Sequence, residues 1–268
     1  MKAFFTLLAL ETRVLARGGF PVVILVVLAA SALSVHALRA VDAAADAASP
    51  AGLAGPERLE AGPWTFTVIR AAARPALHER MVTTLLVYEV LILGFLFVAV
   101  GLFQQFEEGS LRAYRLSPGG QARWMGAKLL VWTVAGVAYG LAFLAASFEL
   151  PAWRALPGVV ALSALGSLLM TTLGLLLASF SRNLSQWFPP AVGLLALNMA
   201  PAALAESWPE ARWFAPGGAA LAGFEALLGQ GDAKPLGAAF AWLGAALALA
   251  LPLSWLALRA RVFKEGGR

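Results

Sequence analysis

Apolar runs of about twenty residues alternate with short polar segments along the chain. They cover roughly 20–38, 81–103, 126–147, 158–180, 188–204 and 236–257. A helix of this length, rising 1.5 Å per residue, crosses about 30 Å of hydrocarbon. The pattern therefore predicts an all-α polytopic membrane protein with six transmembrane helices in a single domain, residues 1–268. The fifth run is short, and its Pro189 and Pro190 suit a first helical turn, where backbone N–H groups have no intrahelical partner.

Composition supports the membrane class. Hydrophobic residues make up 60% of the chain and charged residues 13%, with a mean hydropathy of +0.76, unlike an ordinary soluble domain. The absence of cysteine excludes thiol catalysis, disulfides and cysteine-bound metal. A net charge of +5 is compatible with nucleic-acid binding, but the basic residues are spread over short loops between apolar runs. Membrane topology accounts for that distribution better, so no nucleic-acid partner is expected.

The charges also predict an orientation. With six spans, the termini and the second and fourth loops share one side, which carries twelve basic and four acidic residues, against eight basic and ten acidic on the other. Because basic flanks stay on the cytoplasmic side, both termini are expected in the cytoplasm, with the protein in the cytoplasmic (inner) membrane. A cleaved signal peptide is the alternative for the N-terminus. The long charged region before the first apolar run, which includes Glu11, argues against cleavage.

Residues 1–19 have the pattern of an amphipathic helix lying in the membrane interface. At 100° per residue, its polar side falls within about 60° and comprises Lys2, Thr6, Arg13 and Arg17. Arg13 and Arg17 would face lipid headgroups or a partner. Glu11 projects instead from the apolar side, so it either pairs locally within the chain or contacts a partner subunit.

Two outer segments are distinctive. Residues 39–80 form the longest predicted loop, with a flexible first half and an interfacial helix expected from residue 64 onward, broken near Pro75. Residues 205–235 are too apolar for an exposed loop, and the break at Pro216, Gly217 and Gly218 predicts two short re-entrant helices. His78 and Glu79 do not predict a metal site, because the chain has only two histidines and they lie far apart in sequence.

The stretch "LSPGGQ", residues 116–121, looks like the LSGGQ signature of ABC ATPases with one proline inserted. ATP binding by such a domain also needs a G-x-x-x-x-G-K-[ST] loop, and the chain has none. The stretch also lies between two predicted spans, with too little sequence around it for an α/β domain. We interpret the likeness to the ATPase signature as chance.

The surrounding loop, residues 104–125, resembles the cytoplasmic loop of ABC-2 type permeases. The shared order is E-x-G-[ST]-L, a basic residue, S/T-P, and a lysine at the next span: Glu107, Gly109, Ser110, Leu111, Arg112, Ser117, Pro118 and Lys128. The basic amphipathic start "LALETRVLAR", the apolar outer segment "PGGAALAGFEALLGQG" and the basic tail "LRARVFKEGGR" are also similar to that family. Ser110 stands where threonine is often found and keeps the hydroxyl.

This resemblance implies a transport subunit that is not itself an enzyme. It would pair with a second permease copy or paralogue, contact membrane lipids, and bind two copies of an ATP-binding subunit that holds the ATP and Mg. The residues implied in ATPase coupling are Glu107, Glu108, Gly109, Ser110, Leu111, Arg112, Arg115 and Pro118. Glu107 and Glu108 would lie at the start of a short coupling helix, Gly109 would permit the turn out of the span, and Pro118 would end the helix.

Inside the apolar runs, Glu89 is the one clear charge. It either lines a substrate path or contacts a cation, or it makes a structural hydrogen bond, for which Tyr88 and Asn198 are the expected partners. Asn198 is included with Glu89 in the candidate substrate path. Gly136 and Gly140 have small-xxx-small spacing, which favours helix packing within the subunit over a dimer seam.

The leading hypothesis is the permease subunit of an ABC exporter, moving a small hydrophobic or amphiphilic substrate, drug-like or lipid-like. The alternative is an ion-coupled secondary transporter, which would usually show internal repeats and several intramembrane polar residues. An intramembrane enzyme is disfavoured, because no serine–histidine or H-E-x-x-H pattern lies within a predicted span.

Overall fold

The structure, a computed structural model, describes residues 2–17, 19–48, 58–61, 64–67, 77–111, 114, 120–147, 154–204, 208–230 and 235–264. In this part of the chain the fold is helical apart from one short hairpin. The α-helices are α1 (Lys2–Arg17), α2 (Phe20–Ala48), α3 (Leu77–Glu107), α4 (Gly120–Ala146), α5 (Leu156–Ser179), α6 (Leu184–Leu204), α7 (Pro216–Leu227) and α8 (Pro235–Ala257). A 3₁₀ helix, Pro209–Phe214, precedes α7, and a π-helical segment, Leu258–Lys264, follows α8.

Five helices in the described residues are long and apolar enough to cross a membrane, so the chain is a multi-pass membrane protein. Their candidate spans are Phe20–Ala44, Arg80–Glu107, Gly120–Ala146, Leu156–Ser179 and Pro235–Val262. The fifth predicted span, 188–204, corresponds to α6, which is helical over 21 residues. Helix α6 is not among the five candidate spans found in the described residues.

Helices α3 and α5 form the centre of the bundle, with 61% of the residues in each apolar window buried. The corresponding figures are 39% for α4, 17% for α8 and 11% for α2, so α2 and α8 lie at the periphery. Helix α2 contacts the bundle through a narrow stripe that includes Phe20, Ser31 and Val35, spaced as one face of a helix. Val22, Leu25 and most of its other large side chains are exposed on the protein surface.

Glycines allow α3, α4 and α5 to approach closely. A Cβ at Gly136 would collide with the Ser167 side chain of α5, and one at Gly140 would lie 3.0 Å from Val90 Cγ2 of α3. A Cβ at Gly174 of α5 would lie 2.6 Å from the Phe95 carbonyl oxygen. The prediction that Gly136 and Gly140 pack within the subunit is therefore confirmed.

The structure corrects the predicted first outer loop. Helix α2 continues to Ala48, because the alanine-rich segment after residue 38 favours helix and contains no proline until Pro50. The prediction of an interfacial helix that begins at residue 64 is wrong for its first residues. Trp64–Thr67 (β2) is a strand that pairs antiparallel with Arg58–Ala61 (β1), as the β-branched and aromatic residues of "WTFT" favour. Pro75 lies outside the described residues.

Residues 205–235 contain two short helices, the 3₁₀ helix and α7. A Cβ at Gly158 of α5 would lie 2.6 Å from Leu227 Cδ2, and one at Gly223 of α7 would lie 2.8 Å from Leu162 Cδ2. Helices α5 and α7 therefore run antiparallel. Pro216, at the start of α7, lies at the level of Leu169, near the middle of α5. Helix α7 thus lies beside the first half of α5.

Candidate functional site

One end of the helical bundle carries a cluster of basic residues, which we call the basic end. Helix α3 ends here, α4 begins here, and α5 and α8 both end here. The guanidinium Cζ of Arg261, just after α8, lies 4.9 Å from the ring centroid of Phe180, just after α5. Other basic residues at this end are Arg13, Arg123, Arg182 and Arg259.

A buried polar network joins α1 to the basic end of α3 and α4. Lys128 Nζ of α4 lies 2.8 Å from Glu11 Oε2 of α1, and both side chains are almost fully buried, at 3% and 5% exposure. Gln105 of α3 donates from Nε2 to Glu11 Oε1 at 3.0 Å. Trp124 Nε1 donates to Gln105 Oε1 at 2.8 Å. Both charges are thus paired and hydrogen-bonded, as a buried ion pair requires.

Local sequence explains how Lys128 is accommodated. Trp124 and Lys128 are one helical turn apart, so they share a face of α4, and the ammonium lies 5.9 Å from the Trp124 ring centroid. Gly101 of α3 leaves room opposite, since a Cβ there would lie 3.2 Å from Lys128 Nζ. Helix α1 is therefore held on the bundle by Glu11 pairing within the chain, which decides between the two alternatives left open by the sequence.

The predicted coupling residues follow directly from α3. Glu107 is the last residue of that helix, so it does not lie at the start of a coupling helix as expected. Glu108 lies in the following turn and accepts a hydrogen bond from Gln104 Nε2 at 3.1 Å. Gly109 has a φ of 68°, which a residue without a side chain adopts readily, consistent with the expected turn. The backbone is helical again at Leu111 and at Tyr114.

Ser110 and Leu111 attach this turn to the bundle. Ser110 Oγ donates to the Gln105 carbonyl oxygen at 3.3 Å, and the Leu111 side chain is buried. Gln105 therefore contacts both the turn and Glu11 of α1. Arg112, Arg115 and Pro118 lie outside the described residues, as does the side chain of Arg17, whose backbone ends α1.

An open groove of about 770 Å³ lies between α1 and this turn. It is lined by Phe5, Thr6, Ala9, Leu10, Arg13, Ser110 and Tyr114. Burial, and then the negative charge of Glu11, raise the pKa of Tyr114 above its ordinary value, so its hydroxyl is neutral at physiological pH. The groove combines apolar surface, hydroxyl groups and the exposed cation of Arg13.

A second polar cluster lies inside the bundle at Glu89. Its two carboxylate oxygens accept hydrogen bonds from the hydroxyls of Ser31 in α2 and Tyr139 in α4. The prediction that Tyr88 or Asn198 is the hydrogen-bond partner of Glu89 is wrong. Tyr88 is turned about 100° away on α3 and is 40% exposed. Asn198 lies on α6, where it contacts α7.

Asn198 and Glu89 therefore belong to different parts of the bundle. The buried Asn198 side chain accepts from the Gly217 backbone N–H at 2.8 Å through Oδ1. Gly217 is in the first turn of α7, where N–H groups have no intrahelical acceptor. Asn198 thus caps α7. Its Nδ2 has no hydrogen-bond partner among the described residues.

Sequence reasoning missed several residues of both clusters. The sequence marks Lys128 only as a basic flank and as the lysine of the permease-like loop, and it assigns no role to Gln105, Trp124, Ser31 or Tyr139. The available signals were the one-turn spacing of Trp124 and Lys128 and the position of Gln105 just after the apolar run 81–103. Pairing across helices cannot be deduced from these spacings alone.

No group of three or more His, Asp or Glu side chains among the described residues is arranged to hold a metal ion. The side chains of His78 and Glu79 lie outside the described residues. Comparison with protein-family models, with curated proteins and with solved structures gives no significant match.

Proposed function

We propose that this chain is the permease subunit of an ATP-driven ABC exporter of the ABC-2 type. It would carry a small hydrophobic or amphiphilic substrate across the cytoplasmic membrane by alternating access. ATP hydrolysis, with its ATP and Mg, would belong to two copies of a separate subunit. A second permease copy or a paralogue would complete the transporter.

The observation that carries this proposal is the linkage of α1 to the turn after α3. Glu11 of α1 and Ser110 of the turn both bond to Gln105, through its side chain and its carbonyl oxygen respectively. A force applied to the turn is therefore transmitted through packed, hydrogen-bonded groups to α1 and α3. An ATPase docked on Glu108, Arg112 and the adjacent groove would move these helices as a unit.

In the proposed orientation the basic end faces the cytoplasm. Helix α6 would be a further span, fifth in chain order, and would bring both termini to that side, because the other five spans alone would place them on opposite sides. Helix α7 and the preceding 3₁₀ helix would form a re-entrant outer lid. The depth of Pro216 beside Leu169 favours this arrangement.

Co-purification with an ATP-hydrolysing subunit tests the proposal. Charge reversal by Glu108→Lys or Arg112→Glu is expected to abolish the complex, whereas Glu210→Lys, at an exposed residue of the 3₁₀ helix, is expected to leave it intact. Reconstituted complexes should then show ATPase activity that responds to small amphiphiles. A chain that purifies alone and drives ion-coupled uptake into vesicles without ATP would instead be a secondary transporter.

A further inference from the structure

The Glu89 cluster lies in a seam formed by three helices, α2, α3 and α4, each of which supplies one polar residue: Ser31, Glu89 and Tyr139. Among the described residues, the side-chain contacts of Glu89 are these two neutral hydroxyls, and no lysine or arginine forms an ion pair with it. A carboxylate in a membrane span normally pairs with a cation or faces water. Glu89 therefore lacks an ion-pair partner among the described residues.

The same three helices supply an aromatic cluster further along the seam. Phe97 of α3 stacks on Trp132 of α4 with ring centroids 5.5 Å apart, and Phe20 of α2 meets Phe97 edge-on at 4.9 Å. The cluster is displaced from the Glu89 cluster by seven residues on α4 and eleven on α2. At 1.5 Å per residue, these separations are roughly 10 and 16 Å toward the basic end.

The two clusters also share a face. At 100° per residue, Trp132 and Tyr139 lie within about 20° of each other around α4, and so do Phe20 and Ser31 around α2. One continuous seam thus presents an acidic group at one level and aromatic rings about two to three helical turns away. Rings of this kind attract a cation through their faces and accommodate an apolar body.

Helix α2 closes this seam with few contacts. Only 11% of its apolar window is buried, and its contact with the bundle is the stripe containing Phe20, Ser31 and Val35. Separation of α2 from α3 and α4 would expose Glu89 and the aromatic rings together. Fewer contacts would be lost than on separating α3 from α5.

We propose that the α2–α3–α4 seam binds a cationic amphiphile. Its positive group would pair with Glu89, oriented by Ser31 and Tyr139, and its apolar or aromatic body would lie against Phe97 and Trp132. This assignment narrows the substrate class of the proposed exporter and rests on that function for its transport role. An inorganic cation fits less well, because it exchanges its hydration shell for a full ring of oxygen ligands. The seam offers one carboxylate and two hydroxyls.

Equilibrium dialysis of the full chain in lipid nanodiscs tests the binding. Tetraphenylphosphonium and tetraphenylborate are the probes, since they match in shape and differ in charge. We expect the wild type to prefer the cation, and Glu89→Gln to weaken cation binding by at least about tenfold without weakening anion binding. The matched control Glu225→Gln, in α7 outside the seam, should leave both affinities unchanged. Equal affinity for the two probes, or cation binding insensitive to Glu89→Gln, would overturn the proposal.

A measurement on the wild type covers the case in which Glu89→Gln does not fold. An apolar carbodiimide should label the Glu89 carboxyl, and mass spectrometry should find the labelling slowed by tetraphenylphosphonium but not by tetraphenylborate. Displacement of the bound phosphonium by millimolar Na⁺ would identify an inorganic ion as the ligand. Loss of phosphonium binding in phosphatidylcholine nanodiscs, but not in phosphatidylglycerol ones, would identify a lipid headgroup. Either result would refute a cationic amphiphile as the occupant.

These binding assays need no ATPase, so they fail independently of the proposed function. Cation binding without any ATPase complex would support the binding site in the seam and refute the exporter function. An ATPase complex with no Glu89-dependent cation binding would support the exporter function and refute the binding site in the seam.

Discussion

Glu11 in α1 and Lys128 in α4 form an ion pair of 2.8 Å in which both side chains are almost fully buried. Burial of two charges is costly, and the cost is offset here by their mutual attraction and by the hydrogen bond from Gln105 to Glu11. The pair therefore specifies where α1 sits on the bundle. It also places the lining of the groove, which α1 shares with Ser110 and Tyr114.

Removal of one partner of this pair should be more damaging than removal of both. Lys128→Met leaves the Glu11 carboxylate buried and unpaired, which is expected to lower the free energy of unfolding by about 3–5 kcal/mol. The double variant Glu11→Gln with Lys128→Met should recover much of that loss. Thermal unfolding in detergent measures both effects. Arg123→Met, an exposed site on the same helix, is the control, and equal stability of Lys128→Met and Arg123→Met would contradict a structural pair.

The close contact between α4 and α5 predicts that a side chain larger than that of glycine at position 136 destabilises the protein. Gly136→Ala places a methyl group against the Ser167 side chain and is expected to cost about 1–3 kcal/mol of stability. Adding Ser167→Gly should relieve part of the clash. Gly193→Ala in α6, where no heavy atom lies within 4 Å of the added Cβ, should be neutral or slightly stabilising. Similar melting temperatures for the two alanine variants would rule out the tight contact.

The cap on α7 predicts that two asparagines contribute unequally to the free energy of unfolding. Asn198→Ala removes the buried acceptor of the Gly217 N–H and should cost about 1–2 kcal/mol. Asn183 accepts from the Gln186 N–H at 2.9 Å in an exposed position. Asn183→Ala should cost less, because water can replace that hydrogen bond. Chemical unfolding of both variants checks the order, and a neutral Asn198→Ala would show that the cap is dispensable.

Tyr114 should ionise above the usual tyrosine pKa of 10.0, because burial and the nearby Glu11 charge both disfavour the phenolate. With the pKa raised in the folded state, its stabilising contribution is fully present below the pKa of unfolded tyrosine and is lost as pH rises through the folded-state pKa. Phenolate absorbance during an alkaline titration, compared between wild type and Tyr114→Phe, isolates this group. Glu11→Gln should move the step to lower pH. A Tyr114 step at or below pH 10 would contradict the burial.

The sequence by itself determined the membrane class and most helices. Apolar runs long enough to cross a bilayer must satisfy their backbone hydrogen bonds internally, so helices at these positions follow from composition and length. The two short helices before α8 were predicted from phasing and from the break at Pro216 for a similar local reason. Boundaries were less well determined, because polar residues such as Glu107 and alanine-rich ends such as that of α2 continue a helix without adding to the apolar pattern.

Only the tertiary structure decided which polar side chains meet. The sequence marked Glu11 and Glu89 as unusual, but a position on a helix fixes the direction of a side chain, not the neighbouring helix it faces. Lys128 and Gln105 became the partners of Glu11, and Ser31 and Tyr139 the partners of Glu89, through the packing of α1 and α2 against α3 and α4. That packing depends on contacts between residues far apart in the chain, such as Gly136 with Ser167, which no local pattern encodes.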